Sequence, residues 1–140
     1  MSSVLEPSPA LQGRQRHWVA LLWTLQLLIT AYYSALPAAK LGVMPGSDKL
    51  WHLSGYLILA LPIPLFWTGW RKVCAAGILL ALYGVGLEFV QRYVPGRGFE
   101  LADMLANSTG VLCGIVLATR LRGPLLAFRW NPAANPENSR

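Results

Sequence analysis

Charge is what this sequence has least of. Only 13% of its 140 residues are Asp, Glu, Lys or Arg, against about 25% in an ordinary soluble domain. So little charge cannot coat a water-facing globule, which disfavours a free soluble domain. Cysteine is almost missing too: Cys74 and Cys113 are the only two. They fall at different depths of separate apolar runs, so no disulfide is expected between them. No Cys and His stand at metal-site spacing, so the pattern predicts no metal and no cofactor. Strands of about ten alternating residues are absent, which excludes a membrane β-barrel. Disorder over most of the length is excluded by a 54% hydrophobic composition.

What the chain does have is long apolar runs. Residues 18–36 carry no charge, 50–68 only His52, 73–91 one acid in Glu88, and 101–119 one acid in Asp103. A helix of 18–19 residues rises about 27–29 Å, close to the ~30 Å hydrocarbon core of a bilayer. The expected fold is all-α: a polytopic membrane protein, an antiparallel bundle of four transmembrane helices occupying residues 17–122. Residues 1–16 and 123–140 read as a cytoplasmic N-terminal tail and a disordered cytoplasmic tail, rich in Pro and Asn. Short connections favour up-down neighbours, and Pro62 and Pro64 should kink the second span.

The net charge of +6 is an orientation signal. With the N-terminus inside, Arg14, Arg16, Arg71, Lys72, Arg120, Arg122, Arg129 and Arg140 are cytoplasmic, against Lys40, Lys49, Arg92 and Arg97 outside. Basic residues favour the cytoplasmic side, so both termini should lie there. The first run exceeds a signal-peptide core and lacks a small-residue cleavage site, so it reads as an uncleaved span. The bases form no single face and no reading motif, so nucleic acid is not an expected partner.

The polar residues gather at the outer ends of the second, third and fourth spans. Asp48, His52 and Tyr56 are spaced i, i+4, i+8; Glu88 and Arg92 are i, i+4, with Gln91 beside them; Asp103 and Asn107 are again i, i+4. Such spacing aligns each set on one helix face, and Arg97 stands in the turn between the last two spans. Helix capping accounts for Asp48 and Glu100 about as well as a site does. Glu88 resists that reading. An acid near a helix C-terminus opposes the dipole, and at mid-membrane it would cost about 2.5–3.5 kcal/mol. It should face inward and pair with Arg92, Arg97 or His52. Gly110 and Gly114 form a GxxxG on the fourth span. Such a stripe admits a neighbouring backbone; intramolecular packing is the favoured use, and a homo-oligomer the weaker one.

The ordered set Asp48-Lys49-x-x-His52-x-x-x-Tyr56, Glu88-x-x-Gln91-x-x-x-Pro95-x-Arg97 and Asp103-x-x-x-Asn107-x-x-Gly110-x-x-x-Gly114 resembles the VanZ-like family of small bacterial integral membrane proteins. The likeness runs from Asp48 to Gly114, with Leu53 where the family often has an aromatic residue. It implies a multi-pass protein of the bacterial inner membrane. The family's name comes from a protein associated with low-level teicoplanin resistance. Three functions fit these residues. The ligand-binding reading assigns Asp48, Lys49, His52, Tyr56, Glu88, Gln91, Arg92, Arg97, Asp103 and Asn107 to an anionic lipid or lipid-linked wall precursor at the outer leaflet. An enzyme would use His52 with Glu88 or Asp103 on a lipid phosphate. A structural protein would use the same cluster to lock its helices.

Overall fold

The computed structural model describes residues 13–41, 47–67 and 69–127, with side chains described as far as residue 121. Of the expected tails, 1–16 and 123–140, residues 1–12 and 128–140 lie outside the described residues. Within them the chain is helical: α1 (Gly13–Ser34), a short 3-10 turn (Ala38–Lys40), α2 (Asp48–Ala60), α3 (Ile63–Phe66), α4 (Trp70–Gln91) and α5 (Leu101–Ala127). No strand occurs among the described residues.

Three segments are long and apolar enough to cross a membrane: Asp48–Phe66, Trp70–Gln91 and Leu101–Leu121. Large apolar side chains on their outer faces stay exposed, among them Leu79, Leu82, Phe89, Leu105 and Leu112. In water that much open apolar surface would drive association, whereas lipid solvates it. The expected fourth span is not among these three. α1 has the length, at 22 residues, but Thr24, Gln26 and Thr30 interrupt its apolar run.

The ends of the helices also differ from the sequence boundaries. α1 starts at Gly13 and takes in Arg14 and Arg16, and α5 continues to Ala127, into the stretch assigned to the tail. An α-helix satisfies its own backbone, so it can continue past the apolar boundary into the polar interface. The second span breaks at Leu61–Pro62 and resumes as α3, with Pro62 as its N-cap residue and Pro64 in its first turn. Prolines lack the N–H that a continuous helix needs, but are tolerated where a helix begins. Trp23 Nε1 brings a donor to this break, bonding the Leu59 carbonyl at 2.7 Å.

Consecutive long helices alternate in direction, yet the most extensive packing is between α2 and α5, which run parallel. Successive turns of one meet successive turns of the other: Lys49 meets Asp103, His52 meets Asn107, Leu53 and Leu57 meet Gly110, and Leu57 and Ala60 meet Gly114. The two glycines are what let the backbones touch. A Cβ on Gly110 would press into the Leu53 carbonyl, and one on Gly114 into the Leu57 carbonyl. Small residues four apart give this close approach within lipid, where van der Waals fit replaces the hydrophobic effect. The core beneath comprises Tyr56, Leu59, Ala60, Ile63, Val73, Leu80 and Val111. α1 lies against α4 and α2, where Tyr83 donates its hydroxyl to the Leu27 carbonyl at 2.6 Å.

Candidate functional site

At the end of the bundle where α2 and α5 begin and α4 finishes, the helices bury polar instead of apolar side chains. Glu88, Gln91, Asp103 and Asn107 are all buried, and Glu88 is 0% exposed. The parallel run of α2 and α5 creates this layer, because it brings the first turns of both helices to one level beside the last turn of α4.

His52 stands at its centre, with 11% of its side chain exposed. Its Nδ1 donates to Asn107 Oδ1 at 3.0 Å. The carboxylates of Glu88 (3.7 Å, on the Nδ1 side), Asp103 (3.8 Å) and Asp48 (3.9 Å, both on the Nε2 side) surround the ring. Three helices thus converge on one imidazole. Asp48, His52 and Asp103 also place one potential metal-ligand atom each within 4.8 Å of the others. The sequence pattern, searched for Cys and His pairs on a single segment, gave no sign of this grouping.

Glu88 is the hub beneath. With its amide turned to suit its neighbours, Gln91 donates to Glu88 Oε1 at 3.2 Å and accepts from Arg97 Nη1 at 2.9 Å. The Glu100 amide N–H points to Glu88 Oε2 at 3.5 Å. Glu88 therefore meets His52 directly and Arg97 through Gln91. The Arg92 guanidinium, the third expected partner, does not reach the Glu88 carboxylate: its side chain is exposed and has no hydrogen bond or ion pair among the described residues, and only its backbone N–H bonds the Glu88 carbonyl, at 3.2 Å.

Arg97 is drawn into the scaffold. Its guanidinium donates to the Leu36 carbonyl at 3.2 Å and to the Tyr33 carbonyl at 3.5 Å, which also accepts from the Leu36 N–H, at the end of α1. It fastens the end of α1 to the α4–α5 turn, in which Gly96 adopts a φ of +75°. Lys49 lies at the mouth, bonded to Glu100 at 2.9 Å and 3.7 Å from Asp103 Oδ1. The sequence left the Glu100 carboxylate equally open to a helix-start role and a place in the site. Among the described residues two buried side-chain atoms lack hydrogen-bond partners, Asp103 Oδ1 and the Tyr56 hydroxyl. Tyr56 packs against Gly84, where a Cβ would come within 2.9 Å of its hydroxyl oxygen.

Ser54, the hydroxyl nearest His52 in sequence, donates back to the Leu50 carbonyl at 2.7 Å. Cys74 and Cys113 are both free thiols on exposed faces.

The family model for VanZ/LLP1 matches residues 12–122. The chain belongs to the VanZ/LLP1 family. The match takes in every helix that builds the polar layer. An uncharacterized protein of Schizosaccharomyces pombe, C11E3.10, is 30% identical over 107 residues, covering 73% of this chain and 63% of that protein. The chain thus spans less than two thirds of this relative's length. No solved structure matches the chain.

Proposed function

We propose that this VanZ/LLP1 protein binds the net-anionic phosphate headgroup of an anionic membrane lipid, or of a lipid-linked wall precursor, where the polar layer opens at the membrane boundary. The observation that carries the reading is His52: a partly exposed imidazole held over buried Glu88, Asp103 and Asn107, with Lys49 beside it at the mouth. Membranes impose a high cost on buried ionisable groups, so a cluster of them inside a small bundle points to a ligand. Arg92, exposed and unpaired among the described residues, adds a cation at the same level. α1 completes the protein as a fourth span in this reading, its exposed Leu21, Leu22, Leu25 and Leu28 facing lipid. The excess of basic residues near the opposite helix ends supports cytoplasmic termini in a bacterial inner membrane, and so an outward-facing site. A wall precursor held there would connect the protein to teicoplanin-type resistance.

Native mass spectrometry of the purified chain with added lipid tests this. Phosphatidylglycerol or a polyprenyl phosphate should be retained over phosphatidylcholine, and Lys49→Gln combined with Arg92→Gln should abolish the preference. Equal retention of all three lipids by the wild-type chain would refute the reading.

A second reading, an enzyme acting on a lipid phosphate, is favoured by the His52–carboxylate contacts. With the Ser54 hydroxyl committed to Leu50, water would have to be the nucleophile, with His52 as its base. Turnover of a labelled lipid phosphate that disappears in His52→Gln would establish it.

A further inference from the structure

We propose that Asp48, His52 and Asp103 form a binding site for a single divalent transition-metal ion at the mouth of the polar layer. The argument begins with the imidazole. An amide oxygen can only accept, so the 3.0 Å bond to Asn107 Oδ1 places the proton of a neutral His52 on Nδ1. Nε2 then presents a bare lone pair, and what it faces are two carboxylate oxygens, Asp103 Oδ2 at 3.8 Å and Asp48 Oδ1 at 3.9 Å. Three electron-rich groups with ligand atoms within 4.8 Å of one another, the imidazole too far from either carboxylate to share a hydrogen bond, call for a cation between them.

Asp103 supplies the independent sign. Its side chain is 3% exposed; Oδ1 has no hydrogen-bond partner among the described residues, and Oδ2, the oxygen towards His52, stands 3.8 Å from Nε2, beyond hydrogen-bond range. A buried carboxylate left in that condition is costly unless something positive completes it. Lys49 approaches no closer than 3.7 Å and gives its short bond to Glu100 instead.

The two His52–carboxylate distances are close to what an ion needs. Ligands about 2.0–2.2 Å from a tetrahedral ion stand roughly 3.3–3.6 Å apart, so a contraction of a few tenths of an ångström would close the His52–Asp contacts. Asn107 already holds the imidazole by its far nitrogen, the arrangement that orients metal-bound histidines. One nitrogen and two carboxylates suit Zn²⁺ or Mn²⁺. Three protein ligands would leave a coordination position facing the mouth, open to a phosphate oxygen. That last step rests on the headgroup reading above; the ion itself does not.

The test is isothermal titration of Zn²⁺ into the full chain, purified in detergent through a histidine-free tag and stripped with chelator, without added lipid. One ion per chain should bind. Asp103→Asn and Asp48→Asn should each weaken binding more than tenfold, and Asn107→Leu by about 10–100-fold. Lys49→Gln, which removes a competing ammonium, should tighten it by roughly 3–10-fold. Wild-type uptake no greater than that of an Asp48→Asn, His52→Gln, Asp103→Asn triple variant would overturn the proposal, leaving a proton on Nε2 as the occupant. Should the triple variant fail to fold, Asp48→Asn decides alone. That side chain is 46% exposed, so its loss leaves packing intact, and unchanged Zn²⁺ affinity in that variant would equally overturn the site. Zn²⁺ binding without any lipid preference would sustain the metal site and refute the headgroup reading.

Discussion

Replacing Gly114 by Ala should destabilise the protein, although alanine is the better helix former. The added methyl would lie 2.8 Å from the Ala60 Cβ and against the Leu57 carbonyl. Carbon atoms at rest stand about 3.5–4.0 Å apart, so α2 would have to retreat by most of an ångström. Because the obstacle includes rigid backbone, the strain belongs in the usual range for overpacking, about 1–3 kcal/mol. Gly86→Ala is the control, since a Cβ there meets nothing within 4 Å. Both changes gain the same helical preference, about 0.5–1 kcal/mol, and the difference between them isolates the clash. Gly86→Ala should therefore melt slightly above wild type and Gly114→Ala clearly below Gly86→Ala, by about 3 °C or more. Thermal unfolding in a mild detergent, followed by tryptophan fluorescence, reads the difference. If the two variants melt together, the parallel α2–α5 contact is not as close as described. The account of how His52 reaches Asn107 would fall with it.

Two further outcomes follow from the hydrogen bonding. Arg97→Met should free the end of α1, because it removes charged bonds to Leu36 and Tyr33 and the contact with Gln91. Such bonds are worth about 1.5–3 kcal/mol in total effect when a charged group is involved, and amide exchange over residues 33–36 should rise while α5 keeps its protection. Ser54→Ala should leave both stability and lipid retention unchanged, since its hydroxyl only returns to its own helix at Leu50 and Trp51. Lost retention in that variant would give Ser54 a role that its geometry does not suggest.

The sequence made some of this legible for definite physical reasons. Apolar runs long enough to cross a bilayer can be counted directly, and the prolines at 62 and 64 mark a break wherever the chain is helical. Spacing of i, i+4 put Asp48 with His52 and Asp103 with Asn107, because those relations lie within one helix. Relations between helices were hidden. Nothing in the string states that α2 and α5 run parallel with Gly110 against Leu53, and that register alone brings Asp103 to His52 and Lys49. The same limit applies to Arg97. Its sequence position near Glu88 suggested a ligand contact or a direct pair, whereas Gln91 intervenes and the α1 carbonyls claim the rest of the guanidinium. Arg92 shows the converse: its i, i+4 relation to Glu88 is real, but it sits at the helix end with its side chain exposed. α1 is set apart from the three strongly apolar segments, because absence of charge is not the same as high hydropathy when Thr, Gln and Tyr interrupt the run.

The two buried carboxylates should behave oppositely when neutralised, and that contrast separates scaffold from site. Glu88 is engaged on both oxygens, by Gln91 on one and the Glu100 amide on the other. In Glu88→Gln one oxygen becomes an NH₂ group facing a donor, which leaves a buried polar group unsatisfied at a cost of about 1–3 kcal/mol. Asp103 is engaged far less: Oδ1 has no hydrogen-bond partner, and its one ammonium neighbour, Lys49, is 52% exposed and 3.7 Å away. A partner so exposed offsets little of a buried charge, and Asp103→Asn removes that charge without changing the side chain's size. Asp103→Asn should therefore melt at or above the wild-type temperature, and Glu88→Gln below it. A residue whose loss stabilises a protein is held there for something other than stability. If Asp103→Asn unfolds the bundle as Glu88→Gln does, the polar layer is chiefly a device for locking helices together. If it keeps the fold while Zn²⁺ affinity and lipid retention both fall, the charge of Asp103 is maintained for a ligand.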